Sequence, residues 1–313
     1  MRISTSWAQQ LGVNSLLDQQ SKVSELQMQL SAQEKILKPS DDPAAAARII
    51  DLDQGIKQTE QYQSNINAAR QRLSLEDGIL QDAVNVLQRV KELGIQGLND
   101  TNSPSDRTAI AVELEGLSDH LAGLANTRNA NGEYLFSGFK SDTQPFSKDT
   151  DTPPLHVGAY IYSGDSNQRN IQIGTDRQIS DGDYGINVFG APTGPLPATV
   201  PAPGSITNIF EAIGKLAADL RSNAPDSASL DDISSSLDRM LTTQSSVGVR
   251  LNALDRQEDL NSASVLELKT VLSQTEDLDF TEAISKFNLQ TVSLQAAQQA
   301  FSRVQNLSLF NYL

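Results

Sequence analysis

The amino-acid sequence predicts a mainly α-helical protein with a small β insert (an α+β chain), in which the N- and C-terminal segments form a long helical rod or coiled-coil bundle. Glycine and proline, which interrupt helices, are concentrated in one window: 9 of the 19 glycines and 8 of the 12 prolines lie between Gly138 and Gly204. On both sides of that window, apolar residues recur with heptad spacing. Residues 63–133 and 211–279 contain no aromatic side chain, which favours slender helical packing over a thick globular core.

The first predicted helix covers residues 15–37. Four apolar residues share one of its faces, at spacings of three, four and seven: Val23, Leu26, Leu30 and Leu37. The helix is expected to end at Lys38-Pro39, since the residue before a proline disfavours the α region.

The next two predicted helices form an antiparallel hairpin. The first starts with Asp42 as N-cap and Pro43 at the first helical position, and it continues to about Leu98. Every seventh residue along its buried face is apolar: Ile66, Leu73, Leu80 and Leu87. After a turn, Ser105 or Asp106 is expected to cap the returning helix. Three isolated glycines are expected to permit close helix contact: Gly94, Gly97 and Gly123.

The segment from about 138 to 205 is expected to contain β structure. Residues 160–162 and 171–173 are short runs rich in β-branched and aromatic residues. Residues 163–165 and 181–185 have the composition of turns. Residues 192–203 are rich in proline and are expected to form an extended linker back to helical sequence.

Helical patterning resumes near Ile206, breaks around Pro225 and then continues to the end of the chain. The last part fits the a and d positions of one heptad register: Phe280, Ala283, Phe287, Leu294, Ala297, Phe301 and Val304. A seam this narrow suits one or two helical partners. Residues 283–313 contain Lys286 and Arg303 but no acidic residue, so this helix has a weakly charged outer face that suits close packing.

Both ends of the chain are therefore predicted to be adhesive helices that contact other subunits. The predicted interface residues are Val23, Leu26, Leu30, Leu37, Phe280, Phe287, Leu294, Phe301, Val304 and Phe310. Three domains are expected. Residues 1–42 with 273–313 form a terminal coiled coil, residues 43–137 with 206–272 form a helical rod, and residues 138–205 form the β insert.

Composition limits the other classes of function. The formal net charge is −15, and no cluster of Lys and Arg offers a surface for phosphates, so nucleic acid is not an expected partner. The N-terminus has no apolar run of the length that a secretory signal needs. No stretch approaches the ~20 apolar residues of a membrane-spanning helix, so membrane insertion is not expected.

No enzymatic site is predicted. The chain has no cysteine, and neither of its two histidines has a second histidine or a carboxylate at metal-ligand spacing. Asp181-Gly182-Asp183 resembles the start of a calcium loop but lacks the third acidic ligand and the closing Glu, so a β-turn is expected. No glycine-rich phosphate loop and no Gly-x-Ser-x-Gly elbow occurs. We therefore predict no catalytic residue, no metal and no cofactor.

Four motifs resemble those of one family. The segment 37–46, with Ser40, Asp41, Asp42 and Pro43, resembles the start of the second helix in the bacterial flagellin superfamily. Residues 131–138 are similar to a motif of the flagellar hook-associated protein 3 family, the hook–filament junction proteins; its members here are Asn131, Gly132, Tyr134, Phe136 and Gly138. Residues 249–254, with Arg250, Asn252 and Leu254, resemble the returning helix of the superfamily. The ending 307–313 is also similar to that of the junction family.

The resemblance implies a flagellin-like fold and a structural protein of the bacterial flagellum. Such a protein would leave the cell unfolded through the flagellar type III export channel, without a cleaved signal peptide. Outside the cell it would form a homo-oligomeric ring at the hook–filament junction, with hook-associated protein 1 on one side and flagellin on the other. An export chaperone would hold the C-terminal segment beforehand. Apart from the resemblance, we expect fast amide exchange in residues 1–38 and 280–313 of the free chain, because many such ends gain their order only on assembly.

Three alternatives stay open at this point. A flagellin-type filament subunit would share most of these motifs. An intracellular coiled-coil adaptor would share the heptad patterns alone. A metal-dependent hydrolase in the β insert would require calcium or zinc to bind residues 138–205.

Overall fold

The computed structural model describes residues 2–149, 160–191, 204 and 206–310. The helices are α1 (Arg2–Ala32), α2 (Pro43–Gly97), α3 (Pro104–Ala125), α4 (Gly185–Phe189), α5 (Ile209–Arg221), α6 (Ala228–Glu276) and α7 (Phe280–Phe310). The strands are β1 (Phe146–Lys148), β2 (Tyr160–Tyr162), β3 (Asn170–Gly174) and β4 (Arg177–Ser180). The predicted fold class, mainly α with a small β insert, is confirmed.

The chain divides into two compact units. The terminal unit comprises Met1–Glu60 and Ser262–Leu313, and the central unit comprises Gln61–Asn261. The division into three domains expected from the sequence stays a prediction.

In the terminal unit, α1 packs on α7 in antiparallel fashion. A Cβ built on Gly12, near the start of α1, would lie 3.1 Å from the ring of Phe301, near the end of α7. At the other end of the pair, Glu34 and Asp277 form an antiparallel β-bridge. The amide of Lys35 donates to the carbonyl of Glu276 at 2.7 Å. The break between α1 and α2 is thus fastened to the break between α6 and α7.

The bounds of α1 differ from the expected 15–37. The helix already begins at Arg2 and ends at Ala32, because Gln33 takes a left-handed conformation with φ of +67° before Pro39 is reached. Leu37 therefore lies in the connection between α1 and α2, where it is half-buried.

In the central unit, α2, α3, α5 and α6 surround an apolar core. The heptad positions predicted for α2 are fully buried: Ile66, Leu73, Leu80 and Leu87. The predicted close contacts are confirmed at Gly94, whose Cβ would lie 3.1 Å from Leu216, and at Gly97, where it would lie 2.7 Å from Leu220. The prediction is wrong for Gly123, where a Cβ would meet no atom of another described residue within 4 Å.

The cap of α3 also differs from the expectation. Ser103, and neither Ser105 nor Asp106, is the N-cap, with Pro104 in the first turn. Asp106 takes the third helical position and completes a capping box, since its carboxylate accepts from the Ser103 amide at 3.1 Å. The Ser103 hydroxyl donates to the same carboxylate at 2.6 Å, and this bond together with the amide bond lowers the pKa of Asp106.

The β insert contains two separate antiparallel pairs. β1 pairs with β2 in a register that places Phe146 opposite Tyr162 and Lys148 opposite Tyr160. β3 pairs with β4, with an irregularity between Gln172 and Gly174. The predicted runs at 160–162 and 171–173 are confirmed as strands, whereas β1 and β4 were not expected.

Aromatic rings join the insert to the helices of the central unit. Phe146 of β1 lies 5.3 Å from Phe189 of α4 and 5.2 Å from Phe210 of α5, measured between ring centroids. Phe136 lies 5.2 Å from Phe189 in an edge-to-face arrangement. All four rings are fully buried, so the insert is part of the core of this unit.

Candidate functional site

The seam between α1 and α7 contains most of the predicted interface residues. Val23, Leu26 and Leu30 of α1 are half-buried, as are Phe287, Leu294 and Phe301 of α7. Each helix thus uses its predicted face to contact the other helix of the same chain. Phe280 is 44% exposed. The side chains of Val304 and Phe310 lie outside the described residues.

A second set of large apolar side chains on the same two helices faces solvent. Trp7 is 67% exposed, Leu289 69% and Val292 63%. The set is completed by Leu11, Val13, Leu17, Met28 and Ile284. We call these eight residues the outer apolar set. Sequence reasoning missed them because it fitted each helix to a single heptad register, and these residues lie outside it.

An arrangement of this kind can bind further helices. Single exposed apolar residues are ordinary on protein surfaces, whereas many on one helix pair mark an interaction surface. The outer face of α7 carries amides and hydroxyls, with Lys286 and Glu282 paired at 2.7 Å near its start. Few charges would therefore lose their hydration if another helix packed there.

The first motif, Ser40 to Pro43, forms a turn and a helix cap. The carboxylate of Asp42 accepts from the amides of Ala44 at 3.1 Å and Ala45 at 3.0 Å. Asp41 closes the preceding turn, because its carboxylate accepts from the Lys38 amide at 3.0 Å. The predicted N-cap role of Asp42 is confirmed, and this motif sets the start of α2.

The second motif, residues 131–138, connects the end of α3 to the insert. Tyr134 is buried, with the Arg128 guanidinium 4.2 Å from its ring centroid. Phe136 belongs to the aromatic core. Asn131 is exposed, and its amide donates to the Asn129 side chain at 2.9 Å. Gly132 and Gly138 both have positive φ, at +83° and +70°.

The third motif lies on α6, and its three residues lie in three different environments. Leu254 is fully buried in the core, and Asn252 is exposed. The Arg250 guanidinium forms an ion pair with Asp183, which follows β4 and is 6% exposed. The motif therefore fastens the insert to α6.

Sequence reasoning missed the acidic partner of this motif. Residues 181–185 were expected to be a β-turn, whereas Asp181 and Asp183 are buried and α4 begins at Gly185. Asp183 lies beside Glu76 of α2, which is 1% exposed. Burial and the neighbouring charge of Asp183 raise the pKa of Glu76 to about 8. A local turn pattern could not reveal this cluster, because its members are more than 60 residues apart along the chain.

The described residues offer no arrangement of three His, Cys, Asp or Glu side chains suited to a metal ion. Across the same part of the chain, every helix is too short or too polar to cross a bilayer.

Comparison with known proteins identifies the family of this chain. Two family models match, the bacterial flagellin N-terminal helical region over residues 3–141 and the bacterial flagellin C-terminal helical region over residues 230–313. Flagellar hook-associated protein 3 of Escherichia coli (strain K12) is 31% identical over 322 residues, which cover 99% of each chain. The chain belongs to the flagellar hook-associated protein 3 family.

Two solved structures from Legionella pneumophila share the fold. Flagellar hook-associated protein 3 has a TM-score of 0.61 at 26% identity, over 71% of this chain and 97% of that one. A flagellar junction protein has a TM-score of 0.52 at 26% identity, over 65% of this chain and 98% of that one. The resemblance found in the sequence motifs is confirmed, and the family is one of structural proteins of the bacterial flagellum, an extracellular appendage.

Proposed function

We propose that this chain forms a ring of identical subunits that connects the flagellar hook to the filament, with hook-associated protein 1 on one side and flagellin on the other. The observation that supports this most is the pairing of α1 with α7 while the outer apolar set stays exposed. The seam holds the two helices of one chain together, and the outer set is left to pack against helices of neighbouring subunits. The β insert, whose rings belong to the core of the central unit, contributes least to assembly.

Export without a cleaved signal peptide, through the flagellar type III channel, is the second part of the proposal. Before export, the C-terminal segment would expose Leu289, Val292 and the seam side chains of α7 to the cytosol, which is an aggregation hazard. A chaperone bound to this segment would remove that hazard. The protein has no catalytic role in this proposal.

Deletion of residues 283–313 tests whether the terminal helices are the assembly element. In a strain that lacks the native gene, we expect the truncated protein to leave hooks without filaments, as seen by electron microscopy of whole cells. If the truncated protein still joins hook to filament, α7 is not needed for assembly.

A point variant separates assembly from export. The double variant Leu289→Ser, Val292→Ser removes two side chains of the outer apolar set, and Gln295→Ser, Gln299→Ser changes two exposed amides of the same helix as a matched control. We expect both proteins in the culture medium, but only the control should retain filaments. Normal filaments in both strains would show that the outer apolar set is not the assembly surface.

The abundance of the native protein in sheared flagella distinguishes the alternatives. A junction protein is a trace component of that fraction, and a filament subunit is its main component. An intracellular adaptor is absent from it.

A further inference from the structure

Three segments of the central unit meet around two buried carboxyl groups. Glu76 comes from α2, Asp183 from the segment between β4 and α4, and Arg250 from α6. The Asp183 amide donates to Glu76 Oε1 at 3.2 Å. Arg250 pairs with the Asp183 carboxylate, and Gln168 Nε2 donates to its other oxygen at 2.7 Å. The carboxylate of Asp183 is therefore fully partnered, and it is the one that Arg250 neutralises.

Glu76 is partnered on one oxygen only. Its Oε2 is buried and has no hydrogen-bond partner among the described residues. Arg72, one turn earlier on α2, donates to the carbonyl of Leu135 at 3.1 Å and faces Glu133 at 3.5 Å. Its Nε atom is likewise buried without an acceptor in the described part of the chain. A charged Glu76 would thus be a second buried carboxylate beside Asp183. The charges of Arg250 and Arg72 offset its cost only in part, because desolvation and the charge of Asp183 still leave the pKa of Glu76 raised.

The remaining charged groups of the site, Asp181 and Arg169, pair with each other and do not provide a partner for Glu76. Asp181 is buried and bound by Arg169, whose Nε donates to it at 2.8 Å. Gly182 lies over the pair on α2, since a Cβ built on it would be 3.1 Å from Arg72 Nε and 3.7 Å from Glu76 Oε2. The chain between β4 and α4 is consequently seated directly on the Glu76 carboxyl group.

We propose that Glu76 is a proton-operated lock that holds the segment 181–184, and with it the β insert, between α2 and α6. In the protonated state the neutral carboxyl group tolerates its place beside Asp183, and the segment stays seated. Loss of the proton puts two negative charges into one buried site, and the segment that leads from β4 into α4 loosens. The insert is thereby held most firmly in acidic solution, and progressively less firmly until the pH reaches about 8.

The direction of the pH dependence follows from proton binding. The pKa of Glu76 is raised from 4.5 to about 8 in the folded chain, so the folded state keeps a proton that the unfolded state has released. The stabilisation is complete below the ordinary value and is lost as the pH rises through about 8. Between the ordinary value of 4.5 and the raised value of about 8, this one group lowers the folding equilibrium constant roughly tenfold for each pH unit.

Urea unfolding of the full chain between pH 5.5 and 9 tests the proposal, with native protein, Glu76→Gln and Glu92→Gln compared. Glu92 is exposed on the same helix and serves as the matched control. We expect the native protein and Glu92→Gln to lose stability as the pH rises and Glu76→Gln to lose far less. Every other titrating group near the site is common to all three proteins. The difference in pH dependence between Glu76→Gln and the other two proteins therefore reports the ionisation of Glu76. An equal pH dependence in Glu76→Gln would overturn the proposal.

Two further measurements locate the effect and cover a variant that does not fold. Hydrogen exchange of the native chain, corrected for the intrinsic pH dependence of exchange, should lose protection in residues 177–189 between pH 6.5 and 9. Carbon-13 NMR of carboxyl-labelled glutamate in the native chain should show one glutamate that titrates near pH 8. If every glutamate ionises below pH 6, the lock does not exist, whatever the variant does.

Discussion

Gly138 is restricted both by its backbone conformation and by a neighbouring segment that lies close to it. Its φ of +70° lies in the left-handed region, and a Cβ there would stand 2.8 Å from the backbone oxygen of Asp165. Gly132, six residues earlier, has φ of +83°, but its Cβ position has no atom within 4 Å in the described part of the chain. Replacing Gly132 would therefore test only the cost of the left-handed backbone conformation. Replacing Gly138 would add the cost of a side chain that approaches Asp165 too closely.

Alanine at each position tests that separation. Gly132→Ala should lower the free energy of unfolding by about 1 kcal/mol, because only the left-handed conformation is penalised. Gly138→Ala should lower it by about 2 to 4 kcal/mol, because the segment carrying Asp165 must also move. Chemical denaturation of both variants checks this, and equal losses would mean that the contact with Asp165 relaxes freely.

At this scale the sequence predicted some residues and not others. Asp42 was predicted as a cap because the signal lies within four residues of the helix it starts. Arg250 was singled out by its motif, but its partner Asp183 was not, since a turn-like composition says nothing of an arginine 67 residues away. Local chemistry is readable from local sequence, and long-range pairing is not.

Among the elements, α5 is capped by a single buried side chain. Asn208 is the N-cap, and its Oδ1 accepts from the amides of Phe210 at 2.9 Å and Glu211 at 3.2 Å. Its Nδ2 donates to the carbonyl of Gly190 at 3.1 Å. One amide group thus starts the helix and ties it to the end of α4.

Substitution of Asn208 should show both functions. Asn208→Ala leaves buried polar groups without partners and should destabilise the chain by about 2 to 3 kcal/mol. Asn208→Asp keeps the acceptor for the two amides but loses the donor to Gly190. We expect it to fall between the native protein and the alanine variant in thermal unfolding. An aspartate variant as unstable as the alanine variant would assign the whole effect to the bond with Gly190.

Strand β1 shows why some elements escaped prediction. Its residues lack a β-prone pattern, and its backbone is held by the side chain of Asn126, which donates to the carbonyl of Phe146 at 2.7 Å and accepts from its amide at 2.9 Å. β2 and the buried aromatic rings supply the rest. The long helices were predicted because heptad spacing repeats over many turns, whereas a three-residue strand is defined by its partners.

At the scale of the whole molecule, the two units differ in how deeply their apolar residues are buried. The central unit has a core of fully buried side chains, whereas the seam between α1 and α7 is mostly half-buried. The sequence predicted that the two ends would pair, because each presents a narrow seam that needs a partner. It did not predict the outer apolar set, which becomes visible only once the seam has been assigned.

Hydrogen exchange on the isolated protein should reflect this difference. We expect fast exchange in α1 and α7 and slow exchange in the buried parts of α2, α5 and α6, because local opening requires less free energy where fewer apolar groups are buried. On assembly with other subunits, protection of α1 and α7 should increase. Equal protection in both units of the free protein would mean that α1 and α7 form a stable pair without partners.

The register of β1 and β2 also bears on how such a chain can diversify. Lys148 and Tyr160 lie opposite each other. The chain therefore leaves the β1–β2 pair and returns to it at neighbouring positions. By chain entropy alone, each doubling of the number of residues between two such neighbours costs about 0.6 kcal/mol. Descendants of this protein could therefore carry very different sequences between those two residues, and an engineer could graft a foreign peptide there, while the helices that belong to the flagellum keep their packing.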